Sequence, residues 1–216
     1  ESLVQLQEAL DELARLYEGV CHFAAPINLS LESCDLSEIA SAAWDDLRAL
    51  MRDTDATMEL EGSAWCRADP FAMRLVFRNL LQNALSVCGD PTRIAIVSSP
   101  VECGGVPGLC VTVRDNGPGV PKELLESVFE PFYSDRPGGT GIGLPLARRL
   151  LRAHGGELVA RAGESGVFEL RLPLVPPIPT AERGVDPHPR MGINSQQPAS
   201  RTTKGLLSST DHEAAR

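Results

Sequence analysis

The chain has 216 residues and a mass of 23.2 kDa, room for one or two domains. Its formal net charge is −9 and only 5% of its residues are aromatic, a surface that repels a phosphate backbone and offers few rings for base stacking, which argues against nucleic acid as a partner. Hydrophobic content of 43% suffices for a packed core, while no stretch approaches the roughly 18 apolar residues of a membrane span.

In chain order, the first predicted element is a long helix over 1–24. Leu3, Leu6, Leu10, Leu13, Tyr17, Val20 and Ala24 form a heptad seam, which needs a partner helix. The first residue is Glu1 and not Met, so the chain is expected to be a piece of a longer protein. Asp35 and Glu38 resemble a capping box and open a helix predicted to reach about Met51. Asp69-Pro70 is a good N-cap followed by a proline at the first helical position, and Gly89-Asp90-Pro91 stops that helix after Val87. Alternating runs over 93–98, 109–115 and 168–174 predict strands of an antiparallel or mixed sheet with helices on one face. A last helix is predicted over 144–154, ended by Gly155-Gly156. Residues 175–216 carry Pro176, Pro177, Pro179, Pro187, Pro189 and Pro198 without apolar periodicity and read as a disordered tail. Six scattered cysteines form no CxxC pair and read as reduced thiols, not as a zinc site or a disulfide frame.

Four segments carry chemistry. Asn79 and Asn83 share one face of the 70–87 helix, where asparagine is a poor residue and needs partners; an amide oxygen is also a neutral, hard ligand suited to Mg²⁺. Asp115 continues the apolar face of Leu109, Val111 and Val113, which puts a carboxylate at the rim of the core in need of a donor, such as a purine amine. Gly117 and Gly119 after it allow close approach of a ligand, although Asn-Gly and Pro-Gly are also ordinary turn dipeptides. Val128-Phe129-Glu130-Pro131-Phe132-Tyr133 offers two rings that could pin a loop. Gly138-Gly139-Thr140-Gly141-Ile142-Gly143-Leu144 precedes a helix, so its backbone N–H groups can face phosphates. Its spacing is neither a dinucleotide fingerprint nor a P-loop.

Read in order, NLLQNA, DNGPG, FEPFY and GGTGIGL resemble the N, G1, F and G2 boxes of the sensor histidine kinase ATP-binding domain, one of the Bergerat-fold ATPases; the short lid resembles the nitrogen-regulation branch. The resemblance implies an α+β, two-layer α/β sandwich of the Bergerat ATP-binding fold, preceded by a partial helical-bundle helix. It divides the chain into a partial dimerisation helix (1–27), an ATP-binding domain (28–174) and a tail (175–216). It implies ATP and Mg²⁺ as cofactors. Asn83 would hold the metal, Asn79 would support the phosphate end, and Asp115 would accept from the adenine amine. Gly117 and Gly119 would shape the adenine pocket, and Phe129 and Phe132 would anchor the lid, with Phe132 also at the nucleotide. Gly139, Thr140, Gly141, Gly143 and Leu144 would meet the phosphates, and Arg136 would contact the terminal one. The implied partners are a response-regulator receiver domain and a second copy of the parent protein through its N-terminal helix. The implied location is cytoplasmic, in a parent that can be membrane-anchored.

The chain departs from the family pattern in places. Leu85 and Ser86 stand where many kinases have Lys, Ser134-Asp135-Arg136 replaces the lid Thr-Thr-Lys of many relatives, and Gly166 stands where relatives often place Thr. The hydrolases of the superfamily use a Glu four residues before the metal Asn; here that position is Asn79, which favours transfer to an imidazole over attack by water. His22 lacks the acidic residue and the proline spacing of the acceptor motif, so the acceptor is expected upstream of this chain. His154 is expected to be structural, at a helix C-terminus whose dipole favours it. The alternatives are a catalytically weak nucleotide-sensing or partner-binding module and an anti-sigma-type serine kinase.

Overall fold

The computed structural model describes residues 26–51, 55–135 and 139–174. The heptad helix expected over 1–24, His22, Arg136 and the tail expected over 175–216 lie outside the described residues.

Two of the three described α-helices begin where a side chain can accept their first amides. Helix α1 (Leu36–Leu50) starts at Asp35, whose Oδ1 accepts from Ser37 N–H at 2.9 Å and from Ala64 N–H at 3.2 Å. Helix α2 (Pro70–Val87) starts at Asp69, whose Oδ1 accepts from Ala72 N–H and whose Oδ2 accepts from Ser30 N–H. It buries Met73, Val76, Phe77, Leu80, Leu81 and Ala84 and ends at Cys88, which turns extended while its N–H still reaches Ala84 O. Helix α3 (Gly143–Ala153) has no side-chain cap at its N-terminus.

The strands are β1 (Glu32–Asp35), β2 (Ala56–Glu61), β3 (Trp65–Ala68), β4 (Thr92–Cys103), β5 (Val106–Asp115), β6 (Glu157–Ala160) and β7 (Val167–Pro173). β1 and β3 pair antiparallel by themselves; the other five form one sheet in the order β2-β4-β5-β7-β6. Only β2, parallel to β4, breaks the antiparallel pattern. One sheet face presents Ile94, Ile96, Val111, Val113, Phe168 and Leu170 to the buried sides of the helices, which makes the two-layer α+β architecture. The other face is polar: Glu169 pairs with Arg161 and Arg171 there, ion pairs whose exposure leaves them worth little.

Of the four predicted helices, the three that fall within the described residues are present, as are the three predicted strands. The β4–β5 hairpin runs further than its apolar alternation, because Gly104 and Gly105 both take positive φ (58° and 85°) and close a two-residue turn beyond the core. β1, β2, β3 and β6 were not expected; they are short strands of four or six residues. The five described cysteines are free thiols.

His154 corrects one expectation. It is structural, but it does not serve as a cation on the α3 dipole. Its ring is 2% exposed, with Nε2 accepting from Asp69 N–H at 3.0 Å and Nδ1 2.7 Å from Leu150 O. Burial, outweighing the Leu150 bond and the nearby Asp69, holds its pKa below the ordinary value. The neutral ring ties the end of α3 to the beginning of α2.

Candidate functional site

A cleft of about 750 Å³ opens between α2, the end of β5, the loop after it and the start of α3. It is lined by Asn79, Asn83, Asp115, Gly119, Gly139, Thr140, Gly141, Gly143 and Leu144 among the sequence-predicted residues. Segments 60 residues apart in sequence thus meet at one place.

At one end lies Asp115, 3% exposed. Its position is set by β5, whose alternation aims it with Val111 and Val113 toward the helices. Oδ1 accepts from Gly117 N–H at 2.8 Å and from the Cys88 thiol at 3.5 Å. The Gly166 carbonyl accepts from Asp115 N–H at 2.9 Å, and Gly166 lies so close that any Cβ there would collide with Oδ2. A buried carboxylate with Oδ1 committed retains acceptor capacity at Oδ2 for a donor such as an exocyclic amine. Gly117 is buried behind the carboxylate and does not line the cleft.

At the other end, α2 turns a stripe of Leu75, Asn79 and Asn83 to the cleft, spaced by one turn each. Asn79 Nδ2 donates to Leu75 O at 2.8 Å. Its Oδ1 faces Gly143, where a Cβ would come within 2.9 Å of it. Asn83 presents a neutral amide oxygen, of the kind that suits Mg²⁺. Here α3 begins, uncapped by any side chain, so the positive end of its dipole meets the cleft and favours anions. Gly141 sits at φ +63° against the main chain of Phe132 and Tyr133, where a side chain would strike both. This end is therefore a cradle built for close approach of a ligand to backbone.

The described parts of the connection between β5 and α3, residues 116–135 and 139–142, border the cleft. The stem of this connection is fixed by Phe129, 7% exposed, which packs edge-on against Phe168 with ring centroids 6.5 Å apart. The Arg148 guanidinium lies 4.5 Å over the same ring and bonds Glu126 and Glu157. Burial alone would raise the Glu157 carboxyl, but Arg152 and Arg148 hold it below the usual range.

Phe132 departs from the expectation of a second packed ring. At φ +68° its side chain is turned out and is 68% exposed, away from the cleft lining. It holds the loop through its main chain instead, donating N–H to Gly141 O at 2.9 Å. Tyr133 lines the cleft in its place, and Cys88 touches Asp115; neither was anticipated. Tyr133 follows the two phenylalanines in sequence and was open to detection, whereas nothing local to Cys88 points to residue 115.

A family model described as histidine kinase-, DNA gyrase B-, and HSP90-like ATPase matches residues 68–176. The chain is 33% identical over 189 residues to signal transduction histidine-protein kinase AfsQ2 of Streptomyces coelicolor, a match that covers 84% of this chain and 32% of that protein. It spans about a third of the length of the curated relatives it matches (32% and 38%). Among solved structures, the catalytic domain of histidine kinase ThkA superposes with a TM-score of 0.59 at 26% identity, covering 68% of this chain and 97% of that one. Full-length ShkA in complex with AMPPNP gives 0.65 at 25% identity, covering 81% of this chain and 38% of that one.

Proposed function

This chain belongs to the histidine kinase-, DNA gyrase B- and HSP90-like ATPase family, and from that premise we propose that it is the ATP-binding catalytic domain of a two-component sensor histidine kinase. In this reading residues 28–174 bind Mg-ATP and 1–27 belong to a dimerisation helix that pairs with a second copy. Residues 175–216 form a tail. The γ-phosphoryl passes to a histidine outside this chain and then to an aspartate of a response-regulator receiver domain. The domain works in the cytoplasm.

Asp115 Oδ2 accepts from the adenine amine, with Gly119 shaping the pocket around it and Gly117 N–H holding Oδ1 from behind. Asn83 holds Mg²⁺, whose chemistry is to neutralise phosphate charge and keep the chain of phosphates in one conformation. Gly139, Thr140, Gly141, Gly143 and Leu144 present main chain and the α3 dipole to the phosphates. Arg136 reaches the terminal phosphate. Phosphoryl transfer asks for positioning and charge stabilisation more than for covalent chemistry, and these groups supply both.

One observation carries the choice of kinase over hydrolase. Four residues before Asn83, where a water-activating base would stand, Asn79 is an amide, and its Nδ2–H is committed to Leu75 O. An amide cannot take a proton from water, so the arrangement suits an acceptor that is already nucleophilic, such as imidazole. His154 is not that acceptor, since both ring nitrogens are engaged and the ring is buried. With γ-labelled ATP, Mg²⁺ and a separately supplied histidine-bearing dimerisation segment, the chain should label that segment as an acid-labile, alkali-stable phosphohistidine. Free phosphate released without protein label, or an acid-stable phosphoserine, would overturn the proposal.

A further inference from the structure

The recognition of adenine just proposed uses Asp115, and one of the two donors on that carboxylate has no role in it. Cys88 ends α2, its main chain already committed as the helix cap. Its thiol lies 3.5 Å from Asp115 Oδ1, the oxygen that also accepts from Gly117 N–H at 2.8 Å. Burial and the Asp115 charge push this thiol up to about 11, so near neutral pH it keeps its proton and is a donor. Two donors therefore converge on Oδ1. Oδ2 lies on the other side, against Gly166, whose missing side chain leaves it room and which lines the cleft. Rotation of the carboxylate would break both bonds to Oδ1.

We propose that Cys88 is a positioning residue for purine selection: its S–H, with Gly117 N–H, fixes the Asp115 carboxylate so that Oδ2 meets the exocyclic amine of adenine. Guanine carries a carbonyl oxygen at the corresponding position, which Oδ2 repels. Removal of the thiol loosens the carboxylate and costs adenine recognition while leaving guanine nucleotides untouched. The same helix presents Asn79 and Asn83 to the far end of the cleft, so α2 holds both ends of the site in register.

The inference rests on the nucleotide reading, and the experiment separates the two. Mg-ATP and Mg-GTP are titrated calorimetrically into the chain and into Cys88→Ala, Cys88→Ser and Asp115→Ala. Cys88→Ala should weaken ATP about threefold to fivefold, the loss of one modest hydrogen bond, with GTP unchanged. Cys88→Ser, which keeps a hydroxyl donor, should stay within about twofold of the parent for both nucleotides. Unchanged ATP affinity in Cys88→Ala, an equal loss for ATP and GTP, or a Ser variant as weak as the Ala variant would each overturn the role of Cys88. The unchanged GTP affinity also serves as the check that the variant is folded. If Asp115→Ala binds ATP as the parent does, the nucleotide reading itself fails. If only Asp115→Ala loses ATP, that reading stands and the Cys88 inference alone falls.

Discussion

The two ends of the cleft hold their geometry by opposite means. At the Asp115 end, a buried side chain is fixed by converging donors, Gly117 N–H and the Cys88 thiol. At the α3 end the contour is main chain, and the decisive atoms are the ones glycine omits at 141 and 143. The first end is vulnerable to the loss of one functional group, the second to the gain of one carbon. Loop support repeats the contrast: Phe129 anchors by its ring, Phe132 by its N–H.

The largest expected effect tests that last pair. Phe129→Ala should cost about 3 kcal/mol in urea unfolding, since a buried aromatic is removed from contact with Phe168 and Arg148. Phe132→Ala should stay within about 0.5 kcal/mol, as expected for an exposed side chain. Comparable losses for the two would break the distinction between ring and main-chain anchoring. Next, Asp115→Ala should weaken ATP roughly 30-fold in a calorimetric titration, equivalent to about 2 kcal/mol for hydrogen bonding to a charged group. Gly141→Ala should weaken ATP about tenfold, because φ +63° is strained for alanine and its Cβ meets the loop main chain. Unaltered affinity there would show that the α3 end tolerates side chains and is no cradle.

The smallest effect lies outside the cleft. The native His154 pKa is lowered, so the unfolded chain binds the proton first as pH falls. The stability this residue contributes is complete above the unfolded value of about 6.5 and is lost as pH drops through it toward the native value. Urea midpoints of the parent should decline over that window, and those of His154→Gln should decline less. Parallel curves would mean that the ring carries no such linkage.

Much of this architecture was legible in the residues because it is local. Asp69-Pro70 and the break after Val87 bound α2, since capping and proline act within a few residues. The alternation of Leu109, Val111 and Val113 pointed Asp115 into the core for the same reason. What escaped is non-local or conformational. β1 and β3 are four-residue strands defined by each other, with Glu32 opposite Ala68, and no periodicity in so short a run identifies them. Cys88 and Asp115 meet because α2 and β5 pack, not because of any pattern near either residue. Phe129 and Phe132 look equivalent as letters; one positive φ sends the second ring into solvent.

The knot at His154 has a metrical consequence. The C-terminal end of α3 is pinned at Asp69, and its N-terminal end rests on Asn79. Ten residues of α2 separate those points, about 15 Å at 1.5 Å per residue, and the eleven residues of α3 span about the same. Helix α3 is thus a gauge block cut to the interval between two marks on α2. One residue more or less within it would shift its first residue, Gly143, by about 1.5 Å and swing it by about 100° around the axis, so the fit at Asn79 is set by helix length as much as by sequence.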